Sequence, residues 1–305
     1  MVLKDKKFFF RSRRILDFII FKVVDYFENP RRTDIIRSYD KRAHSCDRIQ
    51  GNIMNIESGQ KAIAQHPERL PRIWEIDFLR GLSIILMVGY HLLFDLSELC
   101  GIRTLIGIPI NLSTAGWSAA VMFFAGLFVV LSGISSTLSR GNIRRALKLL
   151  AVSIAVTAAT YIFDSSSAVY FGILHCLGSC ILIYGLTLEK SEPKTCAAAG
   201  AIVLGLSVAL SLIMKKTPVH FDWLLPLGIH SRTYASFDYF PLLPWFGIFL
   251  AGAVLGKSIY APKRSLIPKR LPPTFINVAG RHALLIYIVH QPIILAFLFI
   301  LGLLR

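Results

Sequence analysis

Residues 78–97 read FLRGLSIILMVGYHLLFDLS, a run of apolar side chains interrupted by Arg80, His91 and Asp95. About 20 mostly apolar residues are enough to cross a bilayer as a helix. Ionisable groups inside such a segment are costly, and they tend to serve function. Arg80 and His91 are eleven positions apart, close to three whole turns, so they share one helix face about 16 Å apart along the axis. Asp95 follows His91 by four residues and Asp77 precedes Arg80 by three, which puts both near the same stripe. A snorkelling Arg and a packed His are the plain readings of either residue alone. Three such groups on one stripe favour a site.

The rest of the chain is of the same kind. Of its 305 residues, 54% are hydrophobic and 17% charged, and mean hydropathy is +0.58. Soluble domains carry about a quarter charged residues, so the expectation is an all-α, polytopic transmembrane helical bundle. The formal charge of +16 fits cytoplasmic loops of a membrane protein and an anionic ligand on that side; no nucleic-acid partner is expected. The cysteines Cys46, Cys100, Cys176, Cys180 and Cys196 form no CxxC or Cys/His ligand spacing, and no structural disulfide is expected.

Two regions follow. Residues 1–71 form a basic N-terminal extension, expected to be cytoplasmic and partly disordered. Its first 27 residues are basic, with an apolar run broken by Arg13, Arg14, Asp17 and Lys22, a pattern that fits an interfacial amphipathic helix rather than a signal peptide. Residues 28–70 read as a polar linker, and Met54 is an alternative start. Residues 72–305 hold about seven candidate spans: 78–97, 117–138, 146–163, 171–188, 196–214, 241–257 and 279–301. The connections 139–148 and 257–270 carry four and five Lys or Arg, whereas 98–116 carries only Arg103. The positive-inside rule then puts the N-terminus inside and the C-terminus outside.

That orientation sorts the polar residues by depth. Arg80, Arg140, Arg144, Arg145 and Arg281 fall at the cytoplasmic edge. His91 and Asp95 fall in the outer half of the first span, His175 in the first turns of the fourth, Asp238 just before the sixth, and His290 at mid-depth or above in the seventh. An imidazole paired with a carboxylate is a general base suited to neutral pH. Arginines bind phosphate through paired hydrogen bonds. Together they imply group transfer from a phosphorylated donor inside to an acceptor outside. No HxxxH or HExxH spacing is present, so no metal is expected. A proton-coupled transporter or flippase for a glycan or lipid-linked precursor uses the same residue types and is the alternative. A membrane scaffold recruiting a partner through the basic N-terminus is a third.

Quieter features have packing explanations. The small-residue run 131–139 (LSGISSTLS) is a close helix contact, with a groove for a thin cofactor arm as the functional reading. Gly200 and Gly205 are packing residues. Pro241, Pro244 and Pro292 kink helices. His220, His230 and His282 are loop or interfacial residues.

The segment 75–91 (EIDFLRGLSIILMVGYH) resembles the opening of bacterial relatives of the heparan-alpha-glucosaminide N-acetyltransferase catalytic domain. Its Arg80–x10–His91 spacing also resembles the wider membrane acyltransferase superfamily, which includes the acyltransferase-3 proteins. The resemblance continues through 128–140 (FVVLSGISSTLSR), 170–179 (YFGILHCLGS), 238–256 (DYFPLLPWFGIFLAGAVLG) and 280–292 (GRHALLIYIVHQP). It implies an acetyl-CoA-dependent N- or O-acetyltransferase acting on an amino sugar or sugar hydroxyl beyond the membrane. Catalysis would rest on His91, Asp95, His175, Asp238 and His290, with the donor held by Arg80, Arg140, Arg144 and Arg281. The implied partners are the lipid bilayer, acetyl-CoA and a glycan or amino-sugar acceptor, with a homo-oligomer left open. The implied location is the bacterial cytoplasmic membrane. One departure stands out. The human-type enzyme has its proposed active histidine in the loop after the first span, and here 98–116 contains no His.

Overall fold

Ile73 leads directly into a helix whose first turn carries Glu75 and Asp77. Carboxylates there favour the helix through the unpaired N–H groups and the macrodipole. In this computed structural model residues 73–267 and 274–304 are described. The expectations for residues 1–71, including the interfacial helix, the disorder and the alternative start, lie outside the described residues.

Eight α-helices are present among the described residues: α1 Trp74–Glu98, α2 Ala115–Leu138, α3 Asn142–Phe163, α4 Ile173–Ile183, α5 Pro193–Lys216, α6 Leu242–Ser258, α7 Phe275–Arg281 and α8 Ala283–Ile300. Each of the seven expected spans is helical. Five (α1, α2, α3, α5 and α8) are long and apolar enough to cross a bilayer, while α6 and the α4 segment are shorter apolar helices. The seventh span differs from expectation. It breaks at His282, whose backbone leaves helical geometry (φ −105°, ψ 18°), so α7 and α8 are separate helices. The only strands described are the two-residue pair β1 Thr104–Leu105 and β2 Ile108–Pro109 between α1 and α2.

Large apolar side chains point outward along the helices, among them Phe123 on α2, Ile154 on α3, Ile202 and Ile213 on α5, and Phe297 on α8. In water such a surface would aggregate; against acyl chains it is the right one. Closed helices also satisfy the backbone without water. The chain is an integral membrane protein.

Inside the bundle, glycine decides how near the backbones come. Gly81 of α1 and Gly280 of α7 face each other. A Cβ on Gly81 would overlap the Ile276 carbonyl, and one on Gly280 would overlap the Asp77 carbonyl. Gly133 of α2 and Gly252 of α6 form a second such pair, against the Phe249 and Val130 carbonyls. Small residues permitting this approach are the usual means of helix association in a membrane, where the hydrophobic effect between helices is absent. Gly133 therefore commits part of the 131–139 run to packing. Gly200 packs on Leu250 and Gly247, whereas Gly205 has open space around it.

The main core gathers around α6, where Phe249, Leu250 and Ala253 are buried with Leu177, Ile181 and Tyr184 of the α4 segment. At its C-terminal end this segment widens into a π-turn, Tyr184–Leu188. The ammonium of Lys257 donates to the carbonyls of Leu188 (2.8 Å), Glu189 (3.0 Å) and Ser191 there. One cation thus satisfies carbonyls that a helix end leaves without donors.

Candidate active site

α1 and α8 run in the same direction. Asp77 and Arg281 meet near their starts. Further along, His91 meets His290 and Asp95 meets Gln291, and Leu96 packs on Ile294 and Leu298. A parallel pair requires an even number of chain reversals between them, as seven alternating segments provide. It also means that the α1 stripe read from sequence has a partner stripe on α8.

At the imidazole level the ring centroids of His91 and His290 are 5.0 Å apart, inclined at 52°. His290 Nδ1 lies 2.6 Å from the Tyr287 carbonyl oxygen. A carbonyl can only accept, so Nδ1 carries the proton and, in the neutral ring, Nε2 holds the lone pair. The Tyr287 hydroxyl donates to Asp238 Oδ2 at 2.8 Å, and the Ile173 N–H at the start of α4 donates to the same oxygen at 2.9 Å. Burial pushes the Asp238 carboxyl up from its ordinary value, while these two bonds act in the opposite direction. Gly172 leaves the room for it, since a Cβ there would overlap Asp238 Oδ2.

The segment holding Asp238 is itself tied down. Phe237 N–H donates to the Ser167 carbonyl (2.9 Å), Phe240 N–H to that of Phe171 (3.0 Å), and the Ser236 hydroxyl to that of Ala168 (3.0 Å). Two loops far apart in sequence are thereby paired, which carries Asp238 to α4 and α8.

Asp95 is 2% exposed and accepts from Gln291 Nε2 at 2.7 Å. No hydrogen bond joins it to His91 among the described residues, although the spacing of four puts them on one face. Adjacency on a helix brings two side chains level, but the donor facing the carboxylate comes from α8. His175 takes a different partner. Thr157 donates its single proton to the Val169 carbonyl (2.6 Å), so at 3.2 Å it accepts from His175 Nε2. His175 Nδ1 is buried without a partner, and its ring lies against Phe171. The pairing of His91 with His290 does not extend to it.

About three turns back along α1 the groups are cationic. Arg80 donates to Ser135 Oγ (2.5 Å) and lies 3.6 Å from Asp77; Arg281 lies 3.5 Å from the other oxygen of Asp77. Arg145 of α3 donates to Ser136 Oγ (2.8 Å) and is within electrostatic reach of Arg80. Ser135 and Ser136 pass their own protons to the Leu131 and Ser132 carbonyls, leaving their oxygens free to accept. Arg80 and Arg281 thus share one carboxylate, with Arg145 close by on a serine hydroxyl, a cluster suited to an anion. Arg140 and Arg144 are exposed. Between the two levels Ile84 packs with Ala279 and Ala283, flanked by Met87, Phe128 and Tyr287.

Sequence reasoning passed over Tyr287, Gln291, Thr157 and the Ser135–Ser136 pair as site residues. Tyr287 precedes His290 by three and so shares its face; that signal was available. The partners of Gln291 and Thr157 come from other helices and left no trace in spacing.

The family described as heparan-alpha-glucosaminide N-acetyltransferase, catalytic, matches residues 72–292. The chain belongs to this family. The match takes in both levels of the α1 stripe, every loop described above and the His290–Pro292 turn. Membership in the heparan-alpha-glucosaminide N-acetyltransferase catalytic family makes this integral membrane protein an acetyltransferase. No curated protein and no solved structure matches the chain.

Proposed function

We propose that the protein transfers an acetyl group from acetyl-CoA to an amino sugar or sugar hydroxyl on the opposite side of a bacterial cytoplasmic membrane. The donor enters from the cytoplasm, the side of Arg80. Arg80 and Arg145 bind its phosphates, with Arg281 beside them and Arg140 and Arg144 contributing at the rim. The acyl arm runs along the stripe toward His91. One imidazole of the His91–His290 pair takes the proton from the acceptor N–H or O–H as that atom attacks the thioester carbonyl. The C–S bond then breaks, and the departing thiolate recovers a proton. Asp238 and Asp95 position the helices that present the pair, and His175, whose Nδ1 has no other partner, accepts a hydrogen bond from the acceptor and orients it.

The observation that carries this reading is the facing pair of imidazoles. His290 is fixed by the Tyr287 carbonyl with its basic nitrogen free, on the same stripe as the guanidinium cluster. A lone pair held in place inside an apolar bundle is what general-base catalysis needs.

The test uses the full chain in lipid nanodiscs, supplied with radiolabelled acetyl-CoA and a panel of amino sugars and neutral sugars. Wild-type protein is expected to transfer label to an acceptor, and His91→Ala to abolish it. A protein that neither binds acetyl-CoA nor transfers from it would sink the proposal. Uptake of a glycan or lipid-linked precursor driven by a proton gradient, without coenzyme A, would establish the transporter instead.

A further inference from the structure

Tyr287 lies against His290, the ring centroids 5.6 Å apart, and is joined to the site by two hydrogen bonds. Its backbone carbonyl accepts the His290 Nδ1 proton, and its hydroxyl donates to Asp238. The helical turn between these residues is weakened. Pro292 has no N–H, so the Ile288 carbonyl lacks its ordinary donor four residues on, and the proline ring crowds that same carbonyl. A turn with a missing rung needs support from elsewhere if the carbonyl of Tyr287 is to stay beneath His290.

Asp238 is well placed to give that support. Its Oδ2 is held by the start of α4 through Ile173 N–H, and its segment is bonded to residues 167–171. The tyrosine ring packs beside Ile84, Ala279 and Ala283, so the hydroxyl has little freedom once bonded. Gln291 of the same turn is anchored separately to Asp95.

We propose that Tyr287 is a positioning residue for His290. By bonding to Asp238 it fixes the 287–290 turn, and with it the tautomer that leaves the lone pair on Nε2 of His290, the ring beside His91. This rests on the acetyl-transfer reading for its consequence in rate, though not for its consequence in structure.

Tyr287→Phe removes only the hydroxyl. In nanodisc-reconstituted full-length protein its kcat should fall roughly 10- to 100-fold, the scale of a slightly misplaced catalytic group, with KM for acetyl-CoA little changed. In a His290→Ala background the same substitution should cause no further loss, because its effect runs through His290. With 15N-histidine labelling, and the His290 signal assigned by its absence in His290→Ala, the wild type should show the Nδ1–H tautomer. Tyr287→Phe should show a mixture. Asp238→Asn, which keeps an oxygen acceptor for the Tyr287 hydroxyl, should keep the wild-type signal, and Asp238→Ala should reproduce the mixture; this pair serves if Tyr287→Phe fails to fold. An unchanged His290 signal in both Tyr287→Phe and Asp238→Ala overturns the proposal. So does a loss from Tyr287→Phe that persists undiminished in the His290→Ala background. Absence of acetyl transfer by the wild type would count against the enzyme reading alone, since the nitrogen spectra decide the positioning claim without it.

Discussion

One helix, α1, carries two polar levels that are built on opposite principles. At the Arg80 level Arg80 and Arg145 donate to serine hydroxyls, and Arg80 and Arg281 share a carboxylate, Asp77. Charge there is in excess, and Arg281 is partly exposed. At the His91 level the partners are a backbone carbonyl, a carboxamide, a phenol and a buried carboxylate, and the groups are buried or half-buried. In the proposed function the first level draws the anionic donor. The second is held by hydrogen bonds made within the fold, with the imidazoles of His91 and His290 facing each other among them. In that function the cationic cluster and the imidazole pair, divided by the apolar layer around Ile84, would separate binding from chemistry along one stripe.

Substitutions at five positions probe that division. His290→Ala should lower kcat by about 10²- to 10⁴-fold, the range for loss of a general base, while isothermal titration of acetyl-CoA shows near-native affinity. A parallel loss of affinity would mean that the two levels are not separate. Arg80→Gln and Arg145→Gln should do the converse. Each removes a charge-assisted hydrogen bond of about 1.5–3 kcal/mol, so KM for the donor should rise roughly tenfold or more, with a smaller change in kcat. If kcat falls instead, the cluster takes part in the chemistry.

Asp95→Ala should cost stability, because it strands the Gln291 amide in a buried position, at about 1–3 kcal/mol. Thermal unfolding in detergent measures this, and Asp95→Asn, which keeps an acceptor, should lose less. Equal losses would show that the charge rather than the hydrogen bond matters. Arg140→Gln should have the smallest effect. Its side chain is exposed, so the change in donor KM should stay within about twofold at physiological salt, where exposed charges are largely screened. A larger change would extend the anion site outward.

Much of this was legible in the residues. The seven apolar segments appear as helices within a few positions of where hydropathy put them, because a bilayer rewards a continuous apolar stretch whatever its neighbours are. The eleven-residue step from Arg80 to His91 also read correctly as one face, since helical periodicity is local. Asp95 shows the limit of such reasoning. Its spacing from His91 suggested a bonded pair, but a spacing on one helix says nothing about the donor that another helix brings. His175 was grouped with the other histidines by depth, and depth alone could not separate it from the pair it stands apart from. The break at His282 also escaped the hydropathy pattern, which runs on through 279–301 without a polar gap wide enough to mark it.

Sequence alone determined that this chain crosses membranes as helices, and that one helix face holds both a cation and an imidazole, because hydrophobicity and a 3.6-residue repeat are properties of neighbours in the chain. The tertiary structure decided which groups meet. It paired His91 with His290, gave Asp95 to Gln291, and set Asp238 under Tyr287, through glycine contacts and loop hydrogen bonds between segments up to about 200 residues apart. Those pairings depend on how closely backbones approach and on which donor reaches a buried acceptor first, and both are settled only when the helices pack.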